Sequence, residues 1–506
     1  AARDGVDNNG PRSHKLPTDQ KNAYSSSAPG SNLVSLDNIN PNLVKAEYAV
    51  RGAIVQRAAQ LSQQLSEGNL PFDKLVHCNI GNPQQLGQKP ISFVRQVLAL
   101  CDYPELRDKV PEGTFPHDVL DRSAMFLKEV KSTGAYSASK GALACRQMVA
   151  QGIEERDGFP CDPENLFMTD GASPAVHGML KLLIRGESDA FLVPIPQYPL
   201  YSAGIQLTGG TLLPYYLNES KGWSLETNEL EDIYGKAVSS GLCTRAMVVI
   251  NPGNPTGQCL TKENQRDIIK FCVANDLVLV ADEVYQTNVY VDDKEFNSFK
   301  KVACEMGAEA AALQMVSLHS VSKGFMGECG RRGGYMEVVG FAPAVMEQLV
   351  KAWSVNLCPN LNGQITMACQ MQPPKTGEPS YELYCSERDA ILSSLKKRAM
   401  DLNAALNKLE GVSCQTAEGA MYCFPSLKLP QAAVDAAAAK GQKADFMYCM
   451  ECLESTGIVM VPGSGFRQEE GTWHFRTTFL PSEADIGRVI EKLSAFHSSF
   501  MDKYRS

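Results

Sequence analysis

The chain has 506 residues, enough to bury a large core and to form more than one domain. Hydrophobic residues at 44% and charged residues at 21% are ordinary for a soluble globular protein, and no apolar run approaches the roughly 18–20 residues that span a bilayer. A net charge of −9, with no basic run to offset it, argues against a nucleic-acid or anionic-membrane partner.

Residues 1 to 38 are rich in Asn, Ser, Gly and Pro. Burial there cannot offset the entropy of ordering, so a flexible tail is expected. The chain starts at Ala1 rather than methionine, as a processed or trimmed N-terminus would. A mitochondrial matrix or cytoplasmic location is expected. From Asn40 the apolar positions Val44, Tyr48, Ile54, Val55, Leu61 and Leu65 follow a helical period. Leu75 to Ile80 then reads as a strand that ends in the turn Gly81-Asn82-Pro83. Residues 91 to 131 predict helices with a loop around Pro111 to Pro116. The polar loop Thr133 to Gly141, which carries Tyr136, leads into a helix through Ala144, Met148 and Ile153.

Leu166 to Asp170 is a short strand. Ser173 and Pro174 suit the N-cap and first turn of a helix that runs through Val176, Met179 and Leu183 to Gly186. The free N–H groups at such a helix start make a ready phosphate site. Ala190 to Pro194 is the next strand and delivers Gln197 and Tyr198, and Leu212 to Tyr216 is expected in the same sheet. Three more apolar runs, Ala246 to Ile250, Leu277 to Ala281 and Leu313 to Leu318, read as fully buried strands. Strands alternate with helical stretches from Leu166 to Val339, which predicts parallel strands with right-handed crossovers. Beyond about residue 355 long helices and short strands predict a smaller α+β domain that shares its core with residues 39 to 130. The sixteen cysteines, as at Cys272, Cys369 and Cys423, lie in apolar segments and read as small buried hydrophobes in a reducing compartment. The C-x-x-C from Cys449 to Cys452 has no second pair, and no metal site is expected.

The three buried runs end abruptly in polar residues: Asn251 and Asn254, Asp282 and Tyr285, Ser320 and Lys323. In an open α/β sheet the ligand crevice lies beyond the carboxyl ends of the strands, so these groups converge on one rim. The constellation resembles the class I pyridoxal-phosphate-dependent aminotransferases. Asn251-Pro-Gly-Asn-Pro-Thr-Gly257, Asp282-Glu-Val-Tyr285 and Ser320-Val-Ser-Lys323 match that family in order and spacing. Ile80-Gly-Asn-Pro-Gln, Thr133-Gly-Ala-Tyr-Ser, Gly327-Glu-Cys-Gly and Trp473-His-Phe-Arg are similar to its alanine aminotransferase subgroup.

The resemblance implies an aspartate-aminotransferase-like α/β fold. A large cofactor domain with a mostly parallel seven-stranded sheet would span 131–355. The smaller domain would be built from 356–506 and from 39–130, which would also supply a dimer arm. It implies pyridoxal 5′-phosphate as cofactor, with Lys323 holding it covalently and moving the proton, and Asp282 facing the ring nitrogen. Tyr285 and Asn254 would bond the ring 3-oxygen, and Tyr198 would stack on the ring. Ala172, Ser173, Ser320 and an arginine would bind the phosphate. The general pattern points to Arg331, eight residues after the lysine, whereas the subgroup pattern points to Arg332, which is favoured. Tyr136 would reach the phosphate of the neighbouring subunit in a homodimer with shared sites. Arg476, with Gly81, would bind the substrate, the arginine gripping the α-carboxylate through two bonds. His319, on a strand, reads as a core histidine rather than a base.

The expected reaction is L-alanine plus 2-oxoglutarate to pyruvate plus L-glutamate, by a ping-pong route through pyridoxamine phosphate. The alternatives are a glutamate:glyoxylate aminotransferase or a lyase on the same fold. A non-catalytic amino-acid sensor is disfavoured, because no DNA-binding module is evident and Lys323, Asp282 and Arg476 are all present.

Overall fold

The computed structural model describes residues 34–48 and 52–505. Most of the expected tail, residues 1–33, lies outside the described residues. Residues 34–45 carry one short helix, Pro41–Lys45. The expected helix through Tyr48 is not formed there, since residues 46–48 have no regular structure and the next helix is Ala53–Gln64.

The body from residue 46 on is built around a seven-stranded sheet. Its strands are β1 (Leu166–Thr169), β2 (Asp189–Ile195), β3 (Thr211–Tyr216), β4 (Cys243–Ile250), β5 (Val278–Asp282), β6 (Gln314–Ser320) and β7 (Gly334–Val339). They lie side by side in the order β1-β7-β6-β5-β4-β2-β3. Alternate side chains of a strand face opposite ways, and here both faces are covered. Phe191, Val248, Val280 and Leu318 pack with Val176, Met179 and Leu180 of the helix Ala172–Leu183. Leu192, Val249, Leu279 and Met315 pack with Ile268, Ile269 and Cys272 of the helix Lys262–Ala274. Two-sided burial is why these strands read as continuous apolar runs.

One strand departs from the expected parallel arrangement: β7 pairs antiparallel with both β6 and β1. The chain between β6 and β7 holds only a short 3₁₀ turn, Cys329–Arg331, and no crossover helix. It therefore re-enters the sheet from the end at which it left. Residues 321–333 are thus a loop with both feet on one rim.

A second core gathers Ile54, Ala58 and Leu61 with Leu395, Leu402, Tyr448, Val459, Phe475 and Val489. Its strands are short. Tyr422–Cys423, Phe475–Thr478 and Val461–Pro462 form one antiparallel sheet, and Val76–His77 pairs parallel with Ile458–Val459. The packing divides residues 39–130. Those from Phe93 to Phe126 belong to a third cluster with Cys145, Val149, Ile365 and Cys369, not to the core of the C-terminal strands. The cause is the apolar face of the helix Ser92–Asp102, which is buried beneath the helix Leu361–Met371.

Among the described residues no helix is long and apolar enough to cross a membrane. Cys449 and Cys452 are buried free thiols on the helix Ala444–Thr456, and burial pushes that of Cys452 up to about 12.

Candidate active site

Strand register sets the floor of a cavity of about 300 Å³ at the carboxyl rim of β4, β5 and β6. Ile250 pairs with Asp282, and Asp282 with Leu318, so the three polar strand ends stand abreast. Asp282 is 5% exposed, accepts from Tyr201 Oη at 2.7 Å, and faces the Val284 amide at 3.4 Å. Burial pushes its carboxyl above the ordinary range, against the opposing pull of Tyr201, the Val284 amide and the Lys323 charge.

The loop leaving β6 carries the lysine. Ser320 Oγ accepts from the Ser322 amide at 2.9 Å, and the Gly324 amide is held by Asn288 Oδ1 at 3.0 Å. Glu328 in the same loop takes a two-pronged bond from Arg95 at 2.8 and 3.0 Å. So fixed, Lys323 points its Nζ across the cavity to the carbonyl of Gly81 at 2.7 Å. Gly81 leaves no room for a side chain, since a Cβ there would stand 2.8 Å from that Nζ.

The other foot of the loop presents Arg332, whose guanidinium donates to the carbonyls of Cys329 at 3.0 Å and Asp170 at 2.8 Å. Arg331 turns instead toward Glu328, 3.9 Å away, and does not line the cavity. Arg332 meets the start of the helix Ala172–Leu183. That helix begins two residues before the expected start at Pro174. Its N-cap is Gly171 at φ +87°, which has no side chain to satisfy the first-turn N–H groups. Ala172 and Ser173 line the cavity beside it. The helix ends at Leu183 rather than Gly186.

The opposite wall comes from the second core. Arg476, on the strand Phe475–Thr478, is 1% exposed, and its Nη1 donates to Asn254 Oδ1 at 3.0 Å. Its Nη2 donates to the Asn79 carbonyl at 2.6 Å. Asn254 Nδ2 reaches Tyr285 Oη in a long 3.5 Å contact, and Tyr285 Oη donates to Tyr422 Oη at 3.3 Å. Of these two phenols, Tyr285 is pushed up by burial. Tyr422 is held below its ordinary value, because Lys323 and Arg476 outweigh its burial.

Of the residues expected at the site, Lys323, Asp282, Tyr285, Asn254, Tyr198, Ala172, Ser173, Ser320, Arg332, Gly81 and Arg476 all line this cavity. Tyr136 does not: it is 79% exposed, away from the cavity of its own chain. His319 is also outside, 1% exposed with Gln370 Nε2 at 2.9 Å, and burial drives its ring down to about 3, so it stays neutral. Tyr48, Tyr201, Tyr422 and Cys329 were not expected. Tyr48 Oη meets Tyr198 Oη at 2.8 Å at the mouth. Among the described residues the lining holds three cations, Lys323, Arg332 and Arg476, against the one carboxylate of Asp282. Such a site suits a ligand set with two separate anionic groups.

A larger cleft of about 790 Å³ lies around Glu219, Trp223, Gln468 and His474. Its His474 and Glu219 are already paired to each other at 3.0 Å, and it brings no lysine beside a buried carboxylate.

The family described as "Aminotransferase class I and II" matches residues 108–493. Alanine aminotransferase 1, mitochondrial, of Arabidopsis thaliana is 57% identical over 477 residues, 93% of this chain and 88% of that protein. Glutamate–glyoxylate aminotransferase 1 of the same plant is 47% identical over 92% of this chain and 96% of its own. Among solved structures, an aminotransferase from Escherichia coli superposes with a TM-score of 0.71 at 24% identity, covering 92% of this chain and 99% of that one.

Proposed function

We propose that this chain, which belongs to the class I and II aminotransferase family, moves the amino group of L-alanine to 2-oxoglutarate, giving pyruvate and L-glutamate with pyridoxal 5′-phosphate as cofactor. The observation that carries the reading is the single cavity in which Lys323, Asp282, Arg332 and Arg476 meet. The residues fit that cofactor. Its phosphate suits the uncapped helix start at Gly171 together with Arg332. Asp282 is a buried carboxylate short of a cation, which a protonated ring nitrogen supplies. Tyr285 and Asn254, which line the cavity, would bond a ring oxygen, and Tyr198 would cover a ring face.

The cofactor contributes an aldehyde that takes up the amino group, and a conjugated ring that spreads the electron pair left when the substrate's Cα proton departs. The chain does the rest. Arg476 binds and orients the α-carboxylate, so that the Cα–H bond faces Lys323. Lys323 Nζ, once freed by the incoming amino group, is the base that takes that proton, and Gly81 O lies within hydrogen-bond reach of it. Asp282 would hold a proton on the ring nitrogen and so support the electron sink. Tyr48 and Tyr198 narrow the mouth against water.

The flanking expectations are part of the same proposal. The large domain holds the sheet, and the smaller one carries Arg476. Tyr136 completes the phosphate site of a second subunit in a homodimer, and a mitochondrial location accords with the name of the Arabidopsis relative.

A substrate panel on the purified holoenzyme tests the function. L-Alanine and L-glutamate are expected to be good donors, with aspartate and aromatic amino acids poor, and no elimination product. Equal turnover of aspartate or tyrosine contradicts the substrate assignment, and release of an elimination product favours a lyase. Because a glutamate–glyoxylate enzyme is 47% identical, glyoxylate belongs in the panel as an acceptor.

A second expected outcome concerns the phosphate cradle. A Cβ at position 171 would stand 2.5 Å from Arg332 Nη2, on a backbone with φ +87°. Gly171→Ala should therefore displace the guanidinium and weaken cofactor retention by about tenfold or more, roughly 1.4 kcal/mol. Dialysis followed by cofactor titration reads this directly, and undiminished retention contradicts it.

A further inference from the structure

We propose that Phe466 and Tyr422 form an aromatic seat that positions Arg476 for the substrate carboxylate, with Phe466, outside the cavity wall, as a pure positioning residue. The inference rests on the reading of Arg476 as the carboxylate-binding group. Among the described residues none of the hydrogen-bond partners of this buried arginine is an acid: Nη1 uses Asn254 Oδ1, Nη2 uses the Asn79 carbonyl, and Nε has no partner. A guanidinium buried without a counter-ion is costly. What lies against it is aromatic. Its Cζ sits over the Tyr422 ring at 4.2 Å and over the Phe466 ring at 4.7 Å from the centroids. Ring faces are electronegative, and their attraction for a cation grows where water is excluded. Unlike a resident carboxylate, they occupy none of the in-plane N–H donors, so those not bonded to Asn254 and Asn79 stay available for the substrate.

Phe466 is held rigidly enough to do this. It is fully buried, and its carbonyl accepts the Gln197 amide at 2.9 Å. Its ring stands edge-on to Phe424 at 5.8 Å and 82°. Phe424 in turn stacks on His474 at 4.8 Å and 1°, two residues before Arg476 on the same segment. Tyr422 has a second task, since its hydroxyl reaches the cavity and lies 2.1 Å from where a Gly81 Cβ would be. Phe466 has no such contact, so it isolates the positioning effect.

The experiment uses the holoenzyme. Arg476→Lys, the control for the underlying reading, should raise KM for both L-alanine and 2-oxoglutarate by about tenfold or more. Phe466→Leu should raise both by about tenfold with kcat within about twofold, and weaken competitive binding of propionate, a carboxylate that cannot react, to the same degree. Phe466→Tyr keeps the ring and should restore both. If Arg476→Lys leaves the KM values unchanged, the carboxylate reading itself is wrong. If that control responds while Phe466→Leu lowers only thermal stability or kcat and spares propionate binding, the seat is refuted. Should Phe466→Leu fail to fold, Tyr422→Leu against Tyr422→Phe decides: only the variant without a ring should lose propionate binding, and equal binding by the two overturns the proposal.

Discussion

Lys323→Ala is expected to lower turnover by about four orders of magnitude or more while leaving the protein folded. Among the described residues no other lysine lines the cavity, so none of them can take over the amine. The structural cost is small. The side chain makes one hydrogen bond, to Gly81 O, and losing a bond of that kind removes about 1 kcal/mol. Cofactor should still bind without a covalent link, through Arg332 and the start of the helix Ala172–Leu183. Borohydride treatment of the wild type should attach the cofactor to one peptide, the one containing Lys323, and label none in the variant. Labelling of another lysine, or activity within a hundredfold of wild type, contradicts the assignment.

Asp282→Asn should cost about two decades or more in kcat, roughly 3 kcal/mol of transition-state stabilisation. Asparagine fits the space and can keep the bond from Tyr201, so geometry is preserved while the charge is lost. An amide cannot hold a proton on a ring nitrogen, and the electron pair released at the substrate's Cα then loses its sink. Tyr201→Phe makes the comparison useful. It removes one bond to the carboxylate but leaves the anion, and should cost far less. Single-turnover rates with L-alanine measure both, and equal losses in the two variants would falsify the charge argument.

The central sheet was legible because two-sided burial writes itself into the sequence: Met247 to Ile250 and Val278 to Ala281 are apolar without interruption. The rim residues were legible because each such run stops at a polar group. The direction of β7 was not, since strand periodicity is the same whichever way the chain runs. Only the shortness of the link from Ser320 to Gly334 hinted at it. The strand expected over Leu75 to Ile80 shortens to Val76–His77, and its partner at Ile458–Val459 lies too far along the chain for a local pattern to name. Tyr48 fits a helical phase on paper, yet stands in irregular chain beside Tyr198. Tyr422 reads as one more strand residue. Its place against Arg476 is set by pairing with Thr478, which no local pattern encodes.

The ladder from Val76 and His77 to Ile458 and Val459 also sets an order in time. As the chain emerges from the ribosome, the apolar residues Ile54, Ala58 and Leu61 lack most of their core until the helices and strands from Leu395 on have followed. Asn79 and Gly81, which receive Arg476 and Lys323, stay unplaced for the same interval. Contacts this distant in sequence form late and leave sticky surface exposed meanwhile. A nascent chain stalled before residue 395 would thus hold a finished central sheet and an orphaned apolar helix, which makes it a natural client for chaperones.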